Sequence, residues 1–138
     1  MKVLVLGKAT ERSEAGEFGS PEEFAAMDRY FQQLNASGIV LAADGLQPSS
    51  KAKRVAVDAD GNTRVIDGPF AEAKELVAGY SIWEVSSMDE AVEWAKRSPM
   101  EGVVELRKIL DAEDFGDFGA EITAAEERSL AERAATQP

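Results

Sequence analysis

The sequence predicts an α+β fold in which two helices pack on one face of an antiparallel sheet. Strand-like apolar runs and two capped amphipathic helices follow one another in the order β-α-β-β-β-β-α-β. An Asp-Gly pair between two strand-like runs indicates an inserted hairpin. The first run is apolar at every position, so both faces of the sheet need cover. Together these observations indicate a ferredoxin-like split βαβ sandwich with an inserted β-hairpin.

The first strand and the first helix have the clearest signals. Residues 3–6 form the apolar run, and the polar residues 8–19 are expected to form a loop. Ser20 is suited to cap a helix and Glu23 to complete a capping box, while Gly38 is suited to end the helix. The apolar stripe of this helix consists of Phe24, Met27, Phe31 and Leu34.

Five further strands and a second helix complete the predicted domain. The strands are expected at residues 39–43, 54–58, 63–67, 79–85 and 103–110. Residues 59–62, which contain the Asp-Gly pair, form the hairpin turn. The second helix begins at Ser87, with Glu90 three residues on, and ends at Ser98-Pro99.

We expect one domain over residues 1–118 and an acidic helical tail over residues 119–138. The tail follows an acidic turn and is predicted to be helical from about residue 123 to 135, with Thr123 and Glu126 as a capping box. Because it has few large apolar residues, the tail is expected to be mobile or to lie over a partner subunit.

Composition excludes several classes of site and partner. The chain has no cysteine and no histidine, which removes disulfides, thiol nucleophiles and the usual metal ligands. The net charge of −11 repels phosphate backbones, so direct nucleic-acid binding is not expected. The only apolar run near the start is too short for a signal peptide or a membrane span, which favours a cytoplasmic protein with no membrane partner. No cofactor is expected.

A second copy of the chain is the expected cover for the other face of the sheet. The predicted domain has only two core helices, and both pack on the same face. A homodimer formed through the sheets would bury the remaining apolar side chains.

Several separated blocks of the sequence resemble the DGPF branch of the YCII-related family. The central block, DGPFAEAKE, covers residues 67–75 and is followed by Ala-Gly-Tyr at 78–80. The other similar blocks are residues 27–30, 38–50, 90–95 and 113–116. The resemblance covers roughly residues 1–118 and implies a ferredoxin-like fold of the dimeric α/β-barrel type.

The resemblance implies less about activity than about fold. A related branch of the family includes a dehydrochlorinase of aromatic degradation, and a His-Asp pair has been proposed as catalytic in the wider family. This pair cannot be transferred to a chain that lacks histidine. Some members accompany alternative sigma factors, which leaves a regulatory role as a second implication.

Two aspartates are the candidate catalytic residues. Asp67, at a predicted strand end, is suited to accept a proton or anchor a ligand. The alternative is that Asp67 caps the turn made by Gly68 and Pro69. Asp44 also follows a strand and could form a carboxylate pair with Asp67, or it is a solvated loop acid.

Six side chains are candidate ligand-binding residues: Tyr30, Arg54, Phe70, Lys74, Tyr80 and Trp83. Arg54 belongs to a small basic run and Lys74 to a charged segment, so each has an ordinary surface role as its alternative. Tyr80 and Trp83 fall on opposite faces of one strand, where one of them is expected to face the dimer interior.

Two functions fit the sequence. The first is a dimeric small-molecule-binding protein or cofactor-free enzyme that uses carboxylate acid/base chemistry. The alternative is a non-catalytic regulatory module associated with transcription initiation, as a sigma-factor partner that does not bind DNA directly.

Overall fold

The computed structural model describes residues 1–71 and 75–137. The chain divides into two compact units, one of residues Met1–Lys108 and one from Ile109 onward. In the described part of the chain, no helix combines the length and the apolar character needed to cross a membrane.

The first unit holds the strands and the short helices that surround the candidate site. The strands are β1 (Lys2–Lys8), β2 (Val40–Gly45), β3 (Lys53–Val57), β4 (Thr63–Asp67), β5 (Val77–Glu84) and β6 (Val104–Lys108). The helices are α1 (Glu11–Glu14), α2 (Pro21–Ser37) and α3 (Met88–Ala95), with a 3-10 helix at Ser49–Lys51.

Four strands form one antiparallel sheet in the order β2-β5-β1-β6, while β3 and β4 form a separate two-stranded sheet. The predicted α+β class and antiparallel sheet are therefore confirmed. The inserted hairpin is confirmed as well. The Asp58 carboxylate accepts hydrogen bonds from the N–H groups of Asp60 and Asn62, both at 2.9 Å, which closes the turn.

The helix-facing side of the sheet carries the hydrophobic core. Val3 pairs with Trp83 across β1 and β5, and Val5 pairs with Ser81, so the pleat places all four side chains on this face. The buried apolar cluster consists of Val3, Val5, Tyr30, Leu34, Ile39, Trp83, Val85 and Ala91. Since α2 contributes Tyr30 and Leu34 and α3 contributes Ala91, the two helices share one face as predicted.

The opposite face of the sheet is apolar but less covered within the chain. Leu4, Leu6, Tyr80 and Ile82 alternate with the core residues and are half-buried. We call this surface the open face. Because these side chains are apolar as well, the central strands are apolar on both faces, as their sequence indicated.

The capping boxes predicted at Ser20 and Ser87 form only in part. Ser20 accepts from the Glu23 N–H at 3.1 Å, and Ser87 accepts from the Glu90 N–H at 3.1 Å, as predicted. The Glu23 carboxylate instead contacts Arg12, and the Glu90 carboxylate accepts from the Ser86 N–H at 2.9 Å. In each box the glutamate therefore has a partner other than the N–H group of the capping serine.

Two expectations for local structure are wrong. Residues 8–19 are not wholly loop, because the reciprocal hydrogen bonds of Thr10 and Ser13 nucleate α1. In the second unit, α4 spans Gly119–Thr136 and follows a 3-10 helix at Ala112–Phe118. Thr123 therefore lies inside α4, where its hydroxyl donates to the Gly119 carbonyl at 3.0 Å instead of capping.

Candidate ligand-binding cavity

Three glycines lie side by side at one end of the sheet. Gly79 of β5 pairs with Gly7 of β1 and with Gly45 of β2, so the three form a row across three strands. The row lies on the helix-facing side of the sheet. Gly79 lies two residues before Ser81 and Gly7 two residues after Val5, so these glycines share the face of those two side chains. We call these residues the glycine row.

Backbone conformation does not require glycine at these three positions. None of the three has a positive φ. A Cβ on Gly45 would meet no atom within 4 Å, and one on Gly7 would lie 3.7 Å from the Gly79 carbonyl oxygen, an ordinary contact. A Cβ on Gly79 would lie 3.2 Å from the Asp44 carbonyl oxygen, which is tight. The glycine row therefore leaves open space above the sheet, at the usual stability cost of glycine in strands.

This space is a cavity of about 610 Å³ between the sheet, α2 and the segment that follows α3. The glycine row forms part of its floor, and Ala43 and Ser81 extend the floor with small side chains. The apolar walls are formed by Phe24, Met27, Tyr30, Phe31, Trp83, Met100, Val103 and Val104. Its size and apolar walls are typical of small-molecule sites.

The rim of the cavity exposes apolar side chains to solvent. Phe24 is 71% exposed, Val103 66% and Met100 47%. Phe24 lines the cavity together with Met27 and Phe31 of the apolar stripe predicted for this helix, although most of its side chain is exposed. Large exposed apolar side chains around a concavity are typical of binding sites.

One polar group in the cavity wall lacks a protein partner. Trp83 is only 2% exposed, yet its indole Nε1–H makes no hydrogen bond to any described residue. An unsatisfied buried donor costs about 1–3 kcal/mol of stability. By contrast, the Ser81 hydroxyl donates to the Ala42 carbonyl at 3.1 Å and the Tyr30 hydroxyl to the Trp94 carbonyl at 2.8 Å. Burial raises the pKa of Tyr30, and the charge of Arg97 partly offsets this effect.

Asp44 and Tyr80 form a hydrogen-bonded pair at the end of the sheet that carries the cavity. They are register partners on β2 and β5, and the Tyr80 hydroxyl donates to Asp44 Oδ2 at 3.1 Å. This hydrogen bond and the negative charge of the carboxylate raise the pKa of Tyr80. The register places both side chains on the open face, at the same end of the sheet as the glycine row.

Asp67 lies elsewhere, on the hairpin. Its carboxylate pairs with the ammonium of Lys53, its register partner, at 2.6 Å, and both side chains are largely exposed. Neither lines the cavity beside the glycine row. The structure therefore does not bring Asp67 and Asp44 together around that cavity.

Arg54 and Phe70 line a second, smaller concavity of about 340 Å³. The Arg54 guanidinium lies 3.7 Å from the centre of the Phe70 ring, a cation–π contact. The Phe70 N–H donates to Ser49 Oγ at 3.1 Å, and the Glu14 carboxylate accepts from the Ser49 N–H at 2.8 Å. Phe70 is thus engaged in holding the 3-10 helix at Ser49–Lys51, and Arg54 is engaged with the Phe70 ring.

The Asp-Gly-Pro-Phe segment packs tightly against that 3-10 helix. A Cβ on Gly68 would lie 1.7 Å from the Ser49 carbonyl oxygen, and the Gly68 N–H donates to the Ala52 carbonyl at 3.0 Å. Only a residue without a side chain permits this approach. The Asp-Gly-Pro-Phe segment joins the hairpin to the turn at residues 48–52 and therefore has a structural role. Lys74 lies outside the described residues.

The glycine row was not among the residues singled out from the sequence. Its signal was present, because Gly7 lies near the end of β1, Gly45 ends β2, and Gly79 lies near the start of β5. In an antiparallel arrangement these three positions meet at one end of the sheet. Among the described residues, no group of three or more acidic side chains is arranged to hold a metal ion.

Comparison with protein families gives a match over most of the chain. The YCII-related domain matches residues 1–113, which include the whole sheet, the cavity and the Asp-Gly-Pro-Phe segment. The chain belongs to the YCII-related domain family. The resemblance seen in the sequence is therefore confirmed at the level of the family.

One protein is similar to this chain in sequence, and one solved structure is similar to it in fold. An uncharacterised protein of Rhizobium meliloti (strain 1021) is 32% identical over 91 residues, which cover 63% of this chain and 70% of that protein. A solved structure of 5-chloro-2-hydroxyhydroquinone dehydrochlorinase from Burkholderia phenoliruptrix AC1100, in complex with 2,5-dihydroxybenzoquinone, matches with a TM-score of 0.44. The match has 15% sequence identity and covers 80% of this chain and 95% of that one.

Proposed function

We propose that this YCII-related domain binds a small, mostly apolar molecule in the cavity above the glycine row. The observation that carries the proposal is the row itself, since three aligned strands lack side chains there, and at Gly7 and Gly45 neither backbone conformation nor close contact demands it. A sheet selected only for stability would fill this position with β-branched or aromatic side chains. The exposed apolar rim gives such a molecule a route from solvent.

Filling the cavity from its floor tests this function. Gly45→Leu places a side chain where a Cβ meets nothing within 4 Å, so we expect a folded protein with reduced cavity volume. Binding of the neutral dye Nile red, followed by fluorescence, is expected to weaken at least about tenfold. Ala42→Leu is the matched control, because it introduces the same side chain on the same strand but on the open face. Equal dye binding by wild type and Gly45→Leu would contradict the proposal.

We also propose that the four-stranded sheet with α2 and α3 is a ferredoxin-like sandwich, and that two chains associate through their open faces. The support is the strand order β2-β5-β1-β6 and the half-buried side chains Leu4, Leu6 and Ile82. A second copy offers the same apolar surface, which makes the pairing self-complementary.

If the domain is an enzyme, we propose Asp44 as its acid/base group in preference to Asp67. The Tyr80 hydroxyl holds the Asp44 carboxylate in place on the open face, at the same end of the sheet as the cavity. Asp67 is engaged with Lys53 on the hairpin. In this arrangement Asp44 accepts a proton and Tyr80 stabilises the orientation of the carboxylate.

A further inference from the structure

We infer that the ligand is a planar aromatic molecule with fused rings, which lies with its face on the glycine row. This inference rests on the proposed function of the cavity and specifies the class of its ligand. The backbone of the row is accessible, because Gly45 is exposed and Gly7 and Gly79 are only half-buried. A molecule in the cavity can therefore contact the peptide groups of three strands directly.

The space immediately above the row is free of protein atoms. A Cβ built on any of the three glycines would come within 4 Å only of atoms in the neighbouring strands. For Gly7 this atom is the Gly79 carbonyl oxygen, and for Gly79 the atoms belong to Asp44 and Gly45. Within the described part of the chain no atom from the helix side lies as close, so the cavity extends down to the backbone of the sheet.

The floor of the cavity is long and smooth. Neighbouring strands lie about 4.8 Å apart, so the row measures about 10 Å from Gly45 to Gly7. Strand twist bends it gently, by about 20–25° from one strand to the next. Ser81 and Val5, which are 4% and 7% exposed, close its inner end. A planar fused-ring molecule touches such a floor with all its ring atoms, whereas a puckered one touches it with only some, so dispersion contacts favour the planar shape.

The side chains across from the floor favour an aromatic ligand. Phe24, Met27 and Phe31 of α2 line the cavity on the helix side, and Met100 lines its rim. Phenylalanine rings attract other rings in offset or edge-to-face arrangements, and methionine sulfur makes favourable contacts with aromatic rings. An aliphatic molecule of the same size would bury similar apolar area without gaining these contacts.

The test compares 2-naphthol with decahydro-2-naphthol, which has the same carbon skeleton and hydroxyl group but puckered, saturated rings. One Hα of each glycine in the row points where a side chain would, into the cavity, so ¹H–¹³C spectra of the glycine α-protons report on the floor directly. Gly61, in the hairpin turn, does not line the cavity and is the internal reference.

A ring that lies face-on shifts the protons beneath it upfield through its ring current. We expect 2-naphthol to move one Hα signal of Gly79 upfield and to leave the Gly61 signals in place. We also expect 2-naphthol to bind at least about fivefold more tightly than decahydro-2-naphthol, with both dissociation constants taken from titrations of the same signals.

A variant measures the contribution of the aromatic wall. Since Phe24 is 71% exposed, Phe24→Leu is expected to fold while it removes one ring from the cavity. We expect the preference for 2-naphthol over decahydro-2-naphthol to fall at least about twofold. Phe18→Leu is the matched control, because Phe18 is 94% exposed and does not line the cavity, and it should leave both affinities unchanged. An unchanged preference in Phe24→Leu would overturn the role of the aromatic wall.

The outcomes separate this inference from the function on which it rests. If both probes move the glycine signals and bind equally well, the ligand need not be planar, and cavity binding stands without this inference. A downfield shift of the Gly79 Hα with 2-naphthol would overturn the face-on arrangement. If neither probe moves any signal of the glycine row, the cavity proposal and this inference are both wrong.

Discussion

At the scale of single residues, Asp44 and Asp67 are both carboxylates that follow strand positions, yet their surroundings differ. Asp44 accepts a hydrogen bond from a tyrosine on the open face of the sheet, whereas Asp67 faces a lysine on an exposed hairpin. From the sequence alone, both aspartates are predicted to have the same role, because their residue type and their positions in the strands are similar. The pairing partner, which depends on sheet register, distinguishes them.

Asp44→Asn is expected to lower the pKa of Tyr80 towards its ordinary value. The raised pKa has the hydrogen bond to Asp44 as its largest cause and the charge of the carboxylate as its second. In the wild type, the stability from this pair is present at and below the ordinary tyrosine pKa and is lost as pH rises through the raised pKa. Alkaline ultraviolet titration of wild type and variant measures the difference. An unchanged tyrosinate titration would show that the pair does not form.

Asp67→Asn is expected to have little effect. The Lys53–Asp67 pair is exposed, and such pairs contribute less than about 1 kcal/mol to the free energy of unfolding. Thermal melts and Nile red binding of the variant should therefore both resemble the wild type. A large, selective loss of dye binding with an unchanged melt would instead assign Asp67 to a ligand site.

At the scale of elements, glycine serves two different purposes in this domain. Gly68 allows the hairpin to approach the Ser49 carbonyl closely, whereas Gly45 borders open space. The first glycine is explained by packing within the fold. The second is not, which is why the glycine row is the stronger indication of a binding site.

A pair of alanine variants tests this distinction. Gly68→Ala is expected to lower the free energy of unfolding by about 1–3 kcal/mol, since its Cβ would lie 1.7 Å from a backbone oxygen and the turn must shift. Gly45→Ala is the matched control and is expected to be neutral or stabilising by up to about 1 kcal/mol. Urea denaturation of both variants gives the comparison. Equal effects at the two positions would contradict the assignment of different roles.

At the scale of the whole molecule, the proposed dimer would cover the open face of the sheet. Its apolar residues are only half-buried within one chain, and a second copy presents the same surface. The net charge of −11 does not prevent such pairing, because short-range burial of apolar area acts at the interface while charge repulsion is screened by salt.

Ile82→Glu is expected to convert a dimer into a folded monomer. Ile82 lies on the open face between Leu4 of β1 and Ala42 of β2, so a carboxylate there would be desolvated in the interface but solvated in the monomer. Light scattering at micromolar concentration measures the mass, and circular dichroism confirms folding. Val55→Glu on the exposed hairpin is the control and should leave the mass unchanged. A wild-type monomer would contradict the dimer proposal.

The sequence by itself determined most of the strands and helices, the α+β class and the family. These follow from local signals, such as the Ser20 cap, the Gly38 helix end and the Asp-Gly turn, because each depends on neighbours within a few residues. Only the tertiary structure decided where the candidate site lies. The glycine row, the unsatisfied Trp83 N–H and the Asp44–Tyr80 pair all depend on register between strands distant in the chain. Register arises from packing of the whole core, so no local pattern specifies it.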